Sequence, residues 1–117
     1  MKRSLAALVI GNGDYEDATP LDNANNDADD MSVKLLSYGF DVTKLVNATH
    51  EEMDEGLFEF KTALMKNDVG LFFFAGHGMQ IMGENYLIAV NTRVDSEVAV
   101  KHSSLALNKV LDYTNRL

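Results

Sequence analysis

The first polar side chain after the apolar run Val69-Gly70-Leu71-Phe72-Phe73-Phe74-Ala75 is the imidazole of His77, set between Gly76 and Gly78. Histidine titrates near neutrality without help from its surroundings, which suits it to act as a general base and acid. Glycine on both sides lets a reacting group approach the main chain closely. The N–H of Gly78 is thereby a candidate donor to a developing oxyanion. A buried, hydrogen-bonded histidine in a glycine-rich turn would leave the same trace, so the residues alone keep both readings open. The other polar cluster is Asp27, Asp29 and Asp30. For Asp29 and Asp30 a solvated helix start favoured by the helix dipole is sufficient, whereas Asp27 sits closer to Asn23 and Met31 and is taken up below. His50 reads as exposed and structural, and His102 as structural. The sequence has no cysteine, which excludes a disulfide, a zinc–thiolate site and a thiol nucleophile within these residues. No metal and no cofactor is expected.

These groups need elements to hold them. The run ending at Ala75 is too short for a helix and rich in aromatics, and it predicts a central strand buried on both faces. In open parallel sheets, sites lie at the carboxyl ends of strands, where His77 falls. A second apolar run, residues 5–10, stops at Gly11-Asn12-Gly13-Asp14 and predicts another buried strand. A dinucleotide reading of this turn fails, because Glu16 stands where the third glycine belongs and Pro20 intervenes. From Asp22 or Asn23 the pattern is helical, with Ala24, Ala28, Met31 and Leu35 on one face and Gly39 after the C-terminus. Residues 40–46 predict an edge strand. Thr49 with Glu52 forms a capping-box signature for a helix that turns Met53, Leu57, Phe60 and Leu64 inward and runs out near Lys66-Asn67-Asp68. After His77, residues 79–90 read as a hairpin about Gly83-Glu84, residues 91–101 as a loop with at most a short strand, and Ser103 or Ser104 as the cap of a last helix with Leu107, Val110 and Leu111 inward. Strand, helix, strand, helix, strand with short connections predicts an α/β fold: a mostly parallel sheet flanked by helices, in one domain spanning 1–117.

Composition narrows the function. A chain of 117 residues, 46% hydrophobic, makes one core and one domain. A net charge of −8 argues against nucleic acid and anionic membranes as partners and suits cationic or peptide ligands. Residues 5–10 are too short for a signal h-region or a membrane span, which predicts a cytoplasmic protein. A last helix with no strand after it leaves the sheet pattern incomplete, with an open edge available for self-association.

Five segments together carry a resemblance: Ala7-Leu8-Val9-Ile10-Gly11-Asn12 followed by a tyrosine, residues 21–28 (Leu-Asp-Asn-Ala-Asn-Asn-Asp-Ala), Gly39-Phe40-Asp41-Val42, Phe72-Phe73-Phe74-Ala75-Gly76-His77-Gly78, and Gly83-Glu84-Asn85-Tyr86-Leu87. In this order they resemble the caspase-fold cysteine peptidases, above all the bacterial, metacaspase and paracaspase branches. The resemblance implies a caspase-like three-layer sandwich, here its N-terminal portion. It implies that His77 is the catalytic base, that Gly78 contributes a backbone donor to the oxyanion hole, and that the nucleophile is a cysteine in an Asp-x-Cys motif at the end of the next strand, outside this chain. Asp27 matches the aspartate that lines a pocket for a basic P1 side chain. Leu21 stands where animal caspases place an arginine that selects P1 aspartate, so the resemblance favours Arg or Lys at P1. Ala89 stands where relatives often have proline. The expected function is therefore part of a cysteine-type endopeptidase, inactive as this fragment alone, whose partners are a peptide or protein substrate and the remaining cysteine-bearing part of the domain. The alternatives are a catalytically inactive caspase-like scaffold for protein interaction, and an unrelated α/β ligand-binding domain in which His77 is only structural.

Overall fold

The computed structural model describes residues 4–67 and 69–114. Asp68, where the second helix was expected to run out, lies outside them, as do the first three and last three residues. Continuous apolar sequence makes Leu5–Gly11 (β1) a strand with both faces covered, and it pairs in parallel with Asp41–Val46 (β2) on one side and Val69–Ala75 (β3) on the other. The order β2-β1-β3 puts β1 in the centre and β3 at an edge among the described residues. This corrects the expectation of a central β3: its three phenylalanines are half-buried, while Leu8, Val9 and Ile10 of β1 are fully enclosed.

The period of two along β1 distributes its side chains between two helical layers. Ala7 and Val9 face Ala24–Ser37 (α1), where Ala28 and Leu35 meet them with Met31, Val42 and Phe73. Ala6, Leu8 and Ile10 face His50–Leu64 (α2) and join Met53, Leu57, Phe60 and Leu64. The helix faces are those the spacing predicts. Asn23 begins α1 without a side-chain cap, and Gly39, at φ +90, follows its C-cap Tyr38. The capping box of Thr49 and Glu52 is present in full. His50 is half-buried rather than exposed, because its backbone N–H is held by the Asn91 side chain.

Gly78–Ile81 (β4) and Glu84–Leu87 (β5) form the expected hairpin, with Met82 and Gly83 both at positive φ in the turn. The following segment differs from expectation. Ser96 caps a seven-residue helix, Glu97–Ser103 (α3), and Leu105–Ala106 (β6) then pairs with Tyr86 and Leu87 of β5. The last helix, Leu107–Thr114 (α4), therefore starts after this pairing rather than at Ser103 or Ser104. It packs over α2 through Val110 and the half-buried Leu107, while Leu111 points outward at 55% exposure. The result is a three-layer α/β sandwich with a small antiparallel sheet beyond the carboxyl end of β3.

Candidate active site

In register, Gly11 of β1 lies opposite Val46 and Ala75, so the loops that follow all three parallel strands meet at one rim. Close packing there depends on small residues. A Cβ on Gly11 would come within 2.6 Å of the Ala28 Cβ and 2.8 Å of the Ala24 carbonyl oxygen. Glycine is what lets α1 start directly against the end of β1. Asn12 follows, wholly buried, and its side chain ties the rim together: its oxygen accepts from the Ala48 N–H at 2.8 Å and its nitrogen donates to the Ile88 carbonyl at 3.2 Å. Asn47, in the left-handed region at φ 54, accepts with its side-chain oxygen from the N–H groups of Gly13 and Asp14, both at 3.1 Å. Asparagine tolerates this conformation better than most residues.

His77 occupies the short link between β3 and β4, and it is held on three sides. Its N–H donates to the Tyr15 hydroxyl at 2.8 Å, and its carbonyl accepts from the Ile88 N–H at 3.0 Å. The Tyr15 hydroxyl donates in turn to the Ile88 carbonyl at 3.2 Å, and the Tyr15 ring lies against the imidazole with centroids 4.8 Å apart. The imidazole Nε2 is 2.7 Å from the Thr19 carbonyl oxygen. A carbonyl only accepts, so this contact requires the proton on Nε2 and leaves the lone pair of the neutral ring on Nδ1. The arrangement orients the imidazole and selects its tautomer.

Steric demand in the Gly-His-Gly segment is uneven. A Cβ on Gly76 would lie 2.5 Å from the Tyr15 hydroxyl and 2.8 Å from the Phe74 ring, whereas one on Gly78 would meet only the Tyr86 carbonyl at an ordinary 3.7 Å. Gly76 is thus required by the clamp on His77. Gly78 is exposed at the start of β4.

Asp27 lies in the first turn of α1, exposed, and lines an open cleft of about 490 Å³ with Asp22, Leu21, Phe73, Phe74 and Gly76. This places two carboxylates against an aromatic and backbone wall beside the segment that carries His77. Asp29 instead pairs with Lys44 at 2.7 Å on the surface, in keeping with its reading as a solvated residue. His77 itself lines a separate pocket. The structure therefore brings Gly76, His77 and Gly78 to the rim and sets Asp27 beside them in a neighbouring cleft. Sequence reasoning missed Asp22 as a cleft residue and Thr19 and Asn12 as partners of the rim. Only Asn12 left a signal, a polar residue directly after a fully apolar strand.

Burial pushes the Tyr15 phenol above its ordinary value near 10, an effect partly offset by the hydrogen bond from the His77 backbone. A group whose pKa is raised by folding contributes its full stabilisation below the unfolded value and loses it as the pH climbs through the folded one. Stability is expected to fall above pH 10 for this reason, with Tyr86, raised by burial and by its hydrogen bond to Glu84, adding in the same direction. Urea midpoints measured on either side of about pH 10 should show the decline, with a shallower slope in Tyr15→Phe; an unchanged slope would remove Tyr15 as its source.

Among the described residues no group of three or more His, Asp or Glu side chains gathers as a metal site, and no helix is long and apolar enough to cross a membrane.

The comparisons with known proteins agree with this geometry. The family model described as the caspase domain matches residues 4–113. The human protein named mucosa-associated lymphoid tissue lymphoma translocation protein 1 is 30% identical over 91 residues, 78% of this chain and 11% of that protein. Its mouse homolog matches at the same identity and coverage. The chain thus spans about a ninth of the length of these relatives. With the family model covering nearly all of it and the sheet, helices and strand-end histidine in place, the chain belongs to the caspase-domain family of peptidases.

Proposed function

We propose that the chain supplies the histidine-bearing part of a cytoplasmic cysteine endopeptidase of the metacaspase and paracaspase kind, cleaving after a basic residue. The observation that carries this reading is the orientation of His77: its Nε2 faces the Thr19 carbonyl, so Nδ1 is the nitrogen free for proton transfer. In the reaction, a thiol from outside these residues gives its proton to the imidazole and attacks the scissile carbonyl. The backbone N–H of Gly78 helps hold the oxyanion, and the imidazolium passes its proton to the leaving amine. Water, deprotonated by the same imidazole, then releases the acyl group. Asp27, with Asp22 beside it, faces a guanidinium or ammonium at P1. No metal or cofactor takes part in this scheme.

Hydrolysis of otherwise identical reporters with Arg, Lys or Asp before the scissile bond tests the reading. The 117-residue chain has no thiol, and it is expected to give no turnover; in a serine peptidase, loss of the nucleophile costs about 10⁶ in kcat. The natural polypeptide that carries the chain is expected to cleave after Arg and Lys, to lose activity in His77→Ala, and to lose basic preference selectively in Asp27→Ala. Activity that survives His77→Ala would overturn the assignment of the base. Absence of cleavage under every activating condition would favour the second reading, an inactive caspase-like interaction module.

Its partners in this reading are a peptide substrate and the cysteine-bearing remainder of the domain. Self-association is a further expectation, because the outer edge of β3 pairs with no strand among the described residues. Sedimentation should show concentration-dependent dimers of the chain, and a strict monomer at high concentration would remove this part of the proposal.

A further inference from the structure

The Asp27 cleft and the pocket lined by His77 share no residue, yet their walls meet in the chain at Gly76 and His77. A scissile bond has two neighbours, and of the two spaces one is lined by Gly76 and the other by His77, the residue assigned as the base, and Gly78. The imidazole delivers a proton to the leaving amine, so the residue carrying that amine lies beside His77, and His77 lines this pocket and not the Asp27 cleft. Resting on the peptidase reading above, we infer that the His77 pocket is the primed-side subsite, built for an apolar side chain on the residue immediately after the scissile bond.

The chemistry of the pocket sets that preference. It has a volume of about 280 Å³, and Ala18, Met79, Ile88 and Val94 supply apolar wall. Its one carboxylate, Asp17, uses a single oxygen, Oδ2, to accept from the Val94 N–H at 2.9 Å, and that oxygen lies 3.9 Å from the Arg93 guanidinium. The Thr19 carbonyl is likewise occupied by His77. An aliphatic side chain entering here meets mostly apolar wall, whereas an acidic one would meet the Asp17 carboxylate. The Asp27 cleft, with two carboxylates, makes the opposite demand. Met79, 37% exposed on β4, both lines the pocket and reaches solvent.

Because the chain has no thiol, whole substrates can be bound to it without turnover. Three peptides share one unprimed sequence; the first ends in arginine amide, and the other two continue past the arginine with leucine or with glutamate. Methyl and amide NMR is expected to show all three moving the signals of Ala24 and Ala75 in the Asp27 cleft, and only the leucine peptide moving Ala18, Met79, Ile88 and Val94. Burial of one aliphatic side chain predicts about tenfold tighter binding of the leucine peptide than of the glutamate peptide. Val94→Trp should erase that difference without changing affinity for the peptide that ends at arginine. The exposed substitution Met79→Lys, which the fold tolerates more readily, should reverse it in favour of glutamate. Equal affinity for leucine and glutamate, or cleft shifts without pocket shifts, would overturn the subsite while leaving the peptidase reading intact. If no peptide moves the cleft signals, the reading on which the subsite rests falls, and the subsite falls with it.

Discussion

Leu57→Ala is expected to cost the fold about 2–5 kcal/mol, read as a lowered urea midpoint with an unchanged slope. Leu57 is fully enclosed at the centre of α2, in the cluster formed with Leu8 and Ile10 of β1 and with Met53 and Phe60 on either side of it along the helix. Truncation removes apolar contact on all of these and leaves a space that a helix on a parallel sheet closes only in part. Domains of this size are stable by about 5–15 kcal/mol in all, so the variant is expected to approach the limit of folding at physiological temperature. Leu57→Met keeps the volume and is expected to lose less than about 1.5 kcal/mol. If the two variants were equally stable, the α2 face would not be the close-packed layer described above.

Asn12→Leu is expected to destabilise by roughly 2–4 kcal/mol through polar groups left unpaired rather than through a cavity. The Ala48 N–H, buried at that position, loses its only hydrogen-bond acceptor described here, the Asn12 side-chain oxygen. The Ile88 carbonyl loses one of two donors and keeps Tyr15. Since the Ile88 N–H holds the His77 carbonyl, the same change should shift the His77 backbone signals in NMR although the two side chains do not touch. Tyr15→Phe removes the other donor to Ile88, and the double variant is expected to be non-additive by about 0.5–3 kcal/mol, as for groups within one hydrogen-bonded network. Simple additivity would show that the carbonyl does not join the two residues into a unit.

Much of the fold was legible because its signals are local. The apolar run of β1, the four-and-three spacing of Ala24, Ala28, Met31 and Leu35, the Thr49 and Glu52 box and the glycine at the β4–β5 turn each act within a few residues of chain, and each occurs where the spacing places it. The helix α3 was hidden for a related reason. It buries only Val100, so seven residues carry no apolar period, and Ser96 alone marked its start. The start of α4 was misplaced because cross-strand pairing with Tyr86 and Leu87 claims Leu105 and Ala106, a constraint that lies about twenty residues away in sequence.

By itself, the sequence determined the strands and helices of the sandwich, the position of His77 at a strand end and the acidic start of α1, since each follows from spacing within a single element. The partnerships that make these residues a site were decided only by tertiary structure: Tyr15 on the His77 backbone, Thr19 against its ring, Asn12 beneath Ile88, and Asp22 beside Asp27 against Phe73 and Phe74. The physical reason is distance along the chain. Sequence periodicity reports which face of an element meets the core, but not which residue of a remote loop meets it there. Tyr15 and His77 are 62 positions apart and Asn12 and Ile88 are 76, and they meet because the parallel register of β1 and β3 ends both strands at one rim.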